Sequence, residues 1–185
     1  MVPHISGPGW GWHHEEVLVR PDIRYHRSFL EAVADFGDTW ADGSGQGSFP
    51  RNGLDDEEAF AAYVDRVLAD ADPGAPRAEG AVPCTFFWIV DGDEVIGFLA
   101  IRHALTEFLL REGGHIGYSV RPAARRRGWA RRSLAEALPI AHGLGIPLVL
   151  VCCREDNAGS RAVIESNGGV YEDSRNGMRR YWFSR

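Results

Sequence analysis

Six arginines fall within the twelve residues Arg121–Arg132 of a chain whose formal net charge is −6. The run lies between a predicted strand that ends at Val120 and a predicted helix that begins near Gly128. The first backbone N–H groups of a helix have no internal partner, and the helix dipole adds positive charge there. Because Gly128 leaves the main chain open to close approach, the spacing predicts a phosphate-binding site.

A second segment, CCREDNAGSRAVIESNGG at Cys152–Gly169, follows after one predicted helix and one apolar strand. It places Asn157 after the strand and a short helix that Gly168 can close. This segment and the R-x-x-G-x-A pattern at 125–130 resemble the two signatures of the GNAT superfamily of N-acetyltransferases. GFLAIRHAL and GGHIGYSVRP are similar to one bacterial branch of it, described as predicted acetyltransferases.

The resemblance implies a mixed α+β fold with a mostly antiparallel sheet and helices on both faces. It implies one domain over residues 1–185, with the acetyl-CoA-binding core at 114–170. Acetyl-CoA would be the donor, no metal ion would take part, and the acetyl group would pass directly to an amine through the splay between the fourth and fifth strands. The resemblance assigns to the cofactor the residues Tyr118, Ser119, Val120, Arg125, Arg126, Arg127, Gly128, Trp129, Ala130, Asn157 and Ser160.

Residue 164 departs from the superfamily's pattern. Many members have a tyrosine at this place, which protonates the departing coenzyme A thiolate, whereas this chain has Ile164. Ser160 is the first substitute for that acid and Tyr118 is the second. Because the thiolate is a tolerable leaving group, a reaction without an acid is the third alternative.

Three side chains are candidates for the base that deprotonates the amine: His103, His115 and Glu112. A hairpin across Ala104–Gly113 is expected to bring the two histidines close together at the acceptor end of the sheet. Imidazole suits this role because it accepts a proton near neutral pH. The alternative is that both histidines only pack and bond to the backbone.

Hydrophobic patterning predicts the elements that position these residues. Strands are predicted at 15–19, 84–90, 94–103, 114–120, 146–153, 170–173 and 178–183. Helices are predicted at 22–36, from Asp55 to residue 68, at 128–143, where Pro139 is expected to introduce a kink, and at 157–167. Residues 37–53 are glycine-rich and are predicted to form a loop. The resemblance implies that the acceptor pocket comes from residues 24–53 and 104–113.

Composition excludes several other functions. The chain has 26 acidic and 20 basic residues and a pI near 5.6, so its overall charge does not attract nucleic acid. Outside the arginine run, no basic residues are interleaved with aromatic ones, as nucleic-acid binding would require. The three cysteines suit neither a disulfide framework nor a metal site, and no run is long enough to span a membrane, so a cytoplasmic protein is expected.

The leading prediction is an N-acetyltransferase for a small or amino-acid-like amine. An acyltransferase for a protein amine or aminoacyl-tRNA and a non-catalytic acyl-CoA sensor are the alternatives, and the sequence is compatible with a homodimer.

Overall fold

The computed structural model describes residues 17–38, 41–45 and 53–185. Within these ranges lie the strands β1 (Leu18–Val19), β2 (Cys84–Asp91), β3 (Glu94–Arg102), β4 (Ile116–Val120), β5 (Leu148–Arg154), β6 (Val170–Arg175) and β7 (Met178–Ser184). They form one sheet in the order β1-β2-β3-β4-β5-β7-β6. Neighbouring strands run antiparallel apart from β4 and β5, which run parallel. The predicted mixed, mostly antiparallel sheet is therefore confirmed.

Helices cover both faces of this sheet. The helices are α1 (His26–Phe36), α2 (Glu57–Ala69), α3 (Trp129–Gly143) and α4 (Ala158–Ser166). Alternate residues of β3 divide between two apolar clusters, as the period of a strand requires. Phe98 and Ala100 pack with α1 and α2, whereas Leu99 and Ile101 pack with α3 and α4. We refer to these two sides as the α1–α2 face and the α3–α4 face.

Local signals explain where the helices begin. Asp22 accepts a hydrogen bond from the Arg24 N–H at 2.9 Å and caps the 3-10 turn that leads into α1. The cap of α2 is Asp56, which accepts from the Ala59 N–H at 2.9 Å, so the predicted cap Asp55 was wrong by one residue. Two adjacent aspartates carry the same capping signal, and the backbone conformation decides between them.

The remaining elements follow the predicted order. Both predicted hairpins form, α3 runs through Pro139, and α4 ends before Gly168. A π-helical turn at Leu109–Gly113 connects β3 to β4. None of the helices in the described ranges combines the length and apolar character that a membrane crossing requires.

Candidate active site

The strands β4 and β5 separate almost as soon as they meet. Within the described residues their register joins Ile116 to Val151, and the His115 N–H donates to the Leu150 carbonyl at 2.7 Å just before that pair. From residue 117 onward β4 keeps its pairing with β3 but has no partner in β5. The β5-facing edge of residues 117–120 is therefore open to an extended ligand, which can add along it as a strand does.

The turn before α3 has the backbone of an anion site. Arg126 (φ 63°) and Gly128 (φ 84°) are both left-handed, and Gly128 stands directly before the first turn of α3. A Cβ built on Gly128 would meet no atom within 4 Å, so the main chain there faces open space. The fifteen-residue helix α3 aims its unpaired N–H groups and the positive end of its dipole at this space.

The six arginines of the run divide into two groups. Arg121 forms ion pairs with Asp35 at 3.0 Å and Glu94 at 2.9 Å, Arg125 donates from Nε to the Val120 carbonyl at 3.0 Å, and Arg132 lies over the Trp129 ring. These three brace the fold around the turn. The guanidinium groups of the other three, which are exposed, have no ion pair or hydrogen bond to any described residue: Arg126, Arg127 and Arg131.

Tyr118 and Ser160 form a hydroxyl pair beside the opening of the strands. The Tyr118 hydroxyl lies 2.8 Å from Ser160 Oγ, although 42 residues separate them. Burial raises the pKa of Tyr118 above its ordinary value of 10, against the smaller lowering effect of the Ser160 hydrogen bond. Tyr118 therefore keeps its proton at neutral pH. Ile164 is fully buried in the α3–α4 core, so the usual tyrosine position of the superfamily holds a packing residue here.

The other residues predicted to contact the cofactor differ in where their side chains lie. Asn157 caps α4, because its Oδ1 accepts from the Ser160 N–H at 3.0 Å, and it thereby holds Ser160 in place. Ser119 donates to the Asp42 carbonyl at 2.7 Å on the α1–α2 face, away from Tyr118. Trp129 is buried, and its Nε1 has no hydrogen-bond partner among the described residues. Ala130 and Val120 are half-buried beside the turn.

His115 is occupied by a structural hydrogen bond. Its Nδ1 accepts from the Leu150 N–H at 2.9 Å, so the proton of the neutral ring sits on Nε2. Burial, and then the charge of Arg102, lower the pKa of His115 from 6.5 to about 4. The one nitrogen lone pair of His115 that could accept a proton is already hydrogen-bonded, and its pKa is low. His115 is therefore not favoured as the base.

His103 and Glu112 also have partners away from the opening. His103 Nε2 lies 2.8 Å from Thr85 Oγ1, which turns the ring toward β2 rather than β4, and burial lowers the pKa of His103. The backbones of the two histidine segments do meet, through the Arg102 N–H and the His115 carbonyl, but the two rings bond to different strands. Glu112 accepts from Asn176 at 3.4 Å on the surface.

A cavity of about 370 Å³ opens on the α1–α2 face beside the same part of β4. Its walls come from residues 41–45, from α2, from residues 80–86 and from residues 106–109, so both segments predicted for the acceptor pocket contribute to a lining that extends beyond them. Gly43 presses against β4: a Cβ there would lie 2.9 Å from the Gly117 carbonyl oxygen. Arg102, at the end of β3, forms part of the floor. The sequence prediction missed Arg102, whose one signal is a charge at an inward-facing position that ends an apolar strand.

Comparisons with known proteins place this architecture in a family. A family model described as an acetyltransferase (GNAT) domain matches residues 30–170. No curated protein sequence matches the chain at a significant level.

Solved structures share the fold at low sequence identity. Mycobacterium smegmatis RimJ with CoA-disulfide has a TM-score of 0.65 and 18% identity, over 90% of this chain and 80% of that one. The microcin C7 self-immunity acetyltransferase MccE with acetyl-CoA and AMP has a TM-score of 0.60 and 12% identity, over 91% of each chain. A Salmonella typhimurium acetyl transferase that modifies the N-terminal serine of ribosomal protein L7/L12 has a TM-score of 0.55 and 18% identity, over 91% and 94%. The family model covers most of the length of this chain, so the chain belongs to the GNAT family of acetyltransferases.

Proposed function

We propose that the protein transfers the acetyl group of acetyl-CoA to the amine of a small or amino-acid-like acceptor. The observation that supports this proposal is that the unpaired edge of β4 leads directly to the turn at the start of α3. The unpaired edge of β4 ends at Val120, and the left-handed turn at the start of α3 follows within a few residues. An extended arm with a diphosphate at its end fits both surfaces together.

The chain's own groups then have separate tasks. The backbone N–H groups of α3 and the exposed Arg126, Arg127 and Arg131 hold the diphosphate. The open β4 edge pairs with the pantetheine arm. When bound, acetyl-CoA supplies a thioester carbonyl for attack by the amine. The Tyr118 hydroxyl, oriented by Ser160, donates its proton to the sulfur as the carbon–sulfur bond breaks, and the proton that the nitrogen loses as the amide forms restores the hydroxyl through water.

The acceptor amine loses its proton to water in the open cavity. The Nδ1 of His115 accepts from the Leu150 N–H, and the Nε2 of His103 lies at hydrogen-bond distance from the Thr85 hydroxyl, so each ring already has a partner in the sheet. Burial also lowers the pKa of both rings, which makes them weak bases. The acid limb of the rate profile should then follow the pKa of the acceptor amine and not that of a histidine.

A protein amine is the second candidate acceptor. The Salmonella typhimurium relative is named for modifying the N-terminal serine of a ribosomal protein, and an α-amino group meets the same chemical requirement as a small amine. A cavity of about 370 Å³ has room for one or two residues, which supports either a small acceptor or the tip of a peptide.

The test is the release of free coenzyme A thiol from acetyl-CoA with a panel of amino acids, alkyl amines and short peptides with free N-termini. Turnover with at least one small amine is expected, with peptides slower. Faster turnover of peptides would favour the protein acceptor. Tight binding of acetyl-CoA without thiol release by any amine of the panel would refute the proposed acetyl transfer and favour an acyl-CoA sensor.

A further inference from the structure

Arg102 presents an unpaired cation to the acceptor cavity. Its Nη1 donates to the Gly113 carbonyl at 3.1 Å and the Gly114 carbonyl at 3.3 Å, and these bonds fix the guanidinium plane. The group is half-buried, and its Nε and Nη2 have no hydrogen bond to any described residue. A fixed guanidinium with an open edge is suited to bind a planar anion through two parallel hydrogen bonds.

The acids of the cavity do not neutralise this charge. Asp70 interacts with two other arginines, Arg66 at 3.7 Å and Arg77 at 3.8 Å. Asp42 lines the cavity but forms no ion pair with Arg102, and neither does any other carboxylate of the described residues. The charge of Arg102 therefore remains available to an anionic group that enters the cavity.

Arg102 also lies next to the place where the strands open. A Cβ on Gly117 would be 3.2 Å from both terminal nitrogens of Arg102, and Gly117 directly follows the last pair between β4 and β5. The absence of a side chain at 117 lets the guanidinium lie against the β4 backbone at this point. An acceptor with one group on Arg102 thus has its neighbouring atoms at the opening.

We propose that Arg102 binds a carboxylate of the acceptor, so that the preferred substrates are amines with a carboxylate a few atoms from the nitrogen. This inference rests on the proposed acetyltransfer and names its substrate class. The carboxylate accepts hydrogen bonds from Arg102 and neutralises its charge, which a plain alkyl amine cannot do. The carboxylate comes from a free amino acid, or from an acidic side chain near a peptide's N-terminus.

The experiment compares matched acceptors with and without a carboxylate, and kcat/KM is expressed per neutral amine, because a carboxamide lowers the pKa of the neighbouring amine. Free amino acids and their carboxamides are assayed in pairs, with N-terminal Asp or Glu peptides against their Asn or Gln forms to separate the two sources. Wild type should prefer the carboxylates by roughly 10²-fold in kcat/KM, the usual value of a charged hydrogen-bonded contact. Arg102→Gln should abolish the preference, and Arg102→Lys should keep about a tenfold one, because a point charge replaces the fork. Equal rates within pairs for wild type, or an unchanged preference in Arg102→Gln, would overturn the proposal.

Two controls keep this outcome distinct from misfolding and from failure of the acetyltransfer itself. Arg111→Gln removes the same charge from an exposed ion pair on the neighbouring segment and should keep the preference. Coenzyme A affinity should stay within about twofold in Arg102→Gln, because the proposed diphosphate site lies beyond the other end of β4. If no amine is turned over, calorimetric titration of the CoA complex with N-acetylated amino acids and their amides still decides. Wild type should bind the carboxylates more tightly, and equal affinities would refute the role of Arg102.

Discussion

The acid stability of the protein should depend on His115. In the folded chain its pKa is about 4, whereas an exposed histidine has 6.5, because the ring is buried and lies near the positive charge of Arg102. Between these two values the unfolded chain takes up a proton that the folded chain does not. The free energy of unfolding is therefore independent of this histidine above pH 6.5, falls as the pH drops toward 4, and levels off below that value.

The size of the effect follows from the same interval. Each pH unit of difference between the two states corresponds to about 1.4 kcal/mol, so His115 should account for ~2–3 kcal/mol of lost stability by pH 4. His115→Gln removes the titration but keeps an oxygen that can accept from the Leu150 N–H. His115→Ala also removes the titration, and it leaves that buried donor without a partner at a cost of about 1–3 kcal/mol at every pH.

Urea unfolding between pH 8 and pH 4 measures these differences. His115→Gln should match wild type within about 1 kcal/mol at pH 8, since one hydrogen bond replaces another, and become the more stable protein at pH 4. The acid limb of kcat/KM should be the same in both. Parallel loss of stability in wild type and His115→Gln would refute the assignment of the pKa. Loss of the acid limb in the variant, without a change in stability, would show instead that His115 is the base.

Three further variants test other parts of the site. Gly128→Asp should weaken coenzyme A binding by roughly 10²-fold or more in calorimetry, because it adds strain and negative charge where the phosphates lie, while Arg132→Ala should change it about twofold; equal losses would refute the loop assignment. Tyr118→Phe and Ser160→Ala should each lower kcat by about 10²-fold and the double variant by little more, since the hydroxyls act as a unit; an unaltered kcat would remove them from the chemistry. Gly43→Ala should cost about 2–4 kcal/mol in urea unfolding, because its Cβ meets backbone at 2.9 Å with φ 82°; a neutral change would contradict the close packing on β4.

The sequence predicts the fold well because its signals are local. Alternating and continuous apolar runs define the strands, and glycines at residues 92 and 177 mark the two hairpins that form. The turn before α3 is equally local, because a glycine with positive φ at a helix start needs no distant partner. The arginine run illustrates the limit. Which of its side chains pair with Asp35 and Glu94 depends on α1 and β3, which lie far away in sequence.

The site contacts that the sequence leaves open are long-range ones. Tyr118 and Ser160 were separate alternatives for one acid, and their hydrogen bond joins β4 to the first turn of α4. The two histidines lie in neighbouring backbone segments, as predicted, but one ring bonds to β2 and the other to β5. A predicted hairpin shows which backbone segments are neighbours. The position of each ring depends further on which face of the strand it is on and on the hydrogen-bond partners available there.

The groups proposed to bind the acceptor and to protonate the sulfur lie on opposite faces of the sheet, next to the adjacent residues 117 and 118 of β4. Tyr118 pairs with Leu99 and faces the α3–α4 side, where the hydroxyl pair lies. Gly117 pairs with Ala100, whose side chain belongs to the α1–α2 cluster, and there Arg102 and Gly43 pack against the bare backbone. A Cβ at 117 would lie 3.2 Å from both terminal nitrogens of Arg102, so the guanidinium would have to shift by a few tenths of an ångström. The missing side chain at 117 therefore leaves room for the cation that we propose binds the acceptor. The next residue of the same strand, Tyr118, carries on the opposite face the hydroxyl that we propose protonates the leaving sulfur.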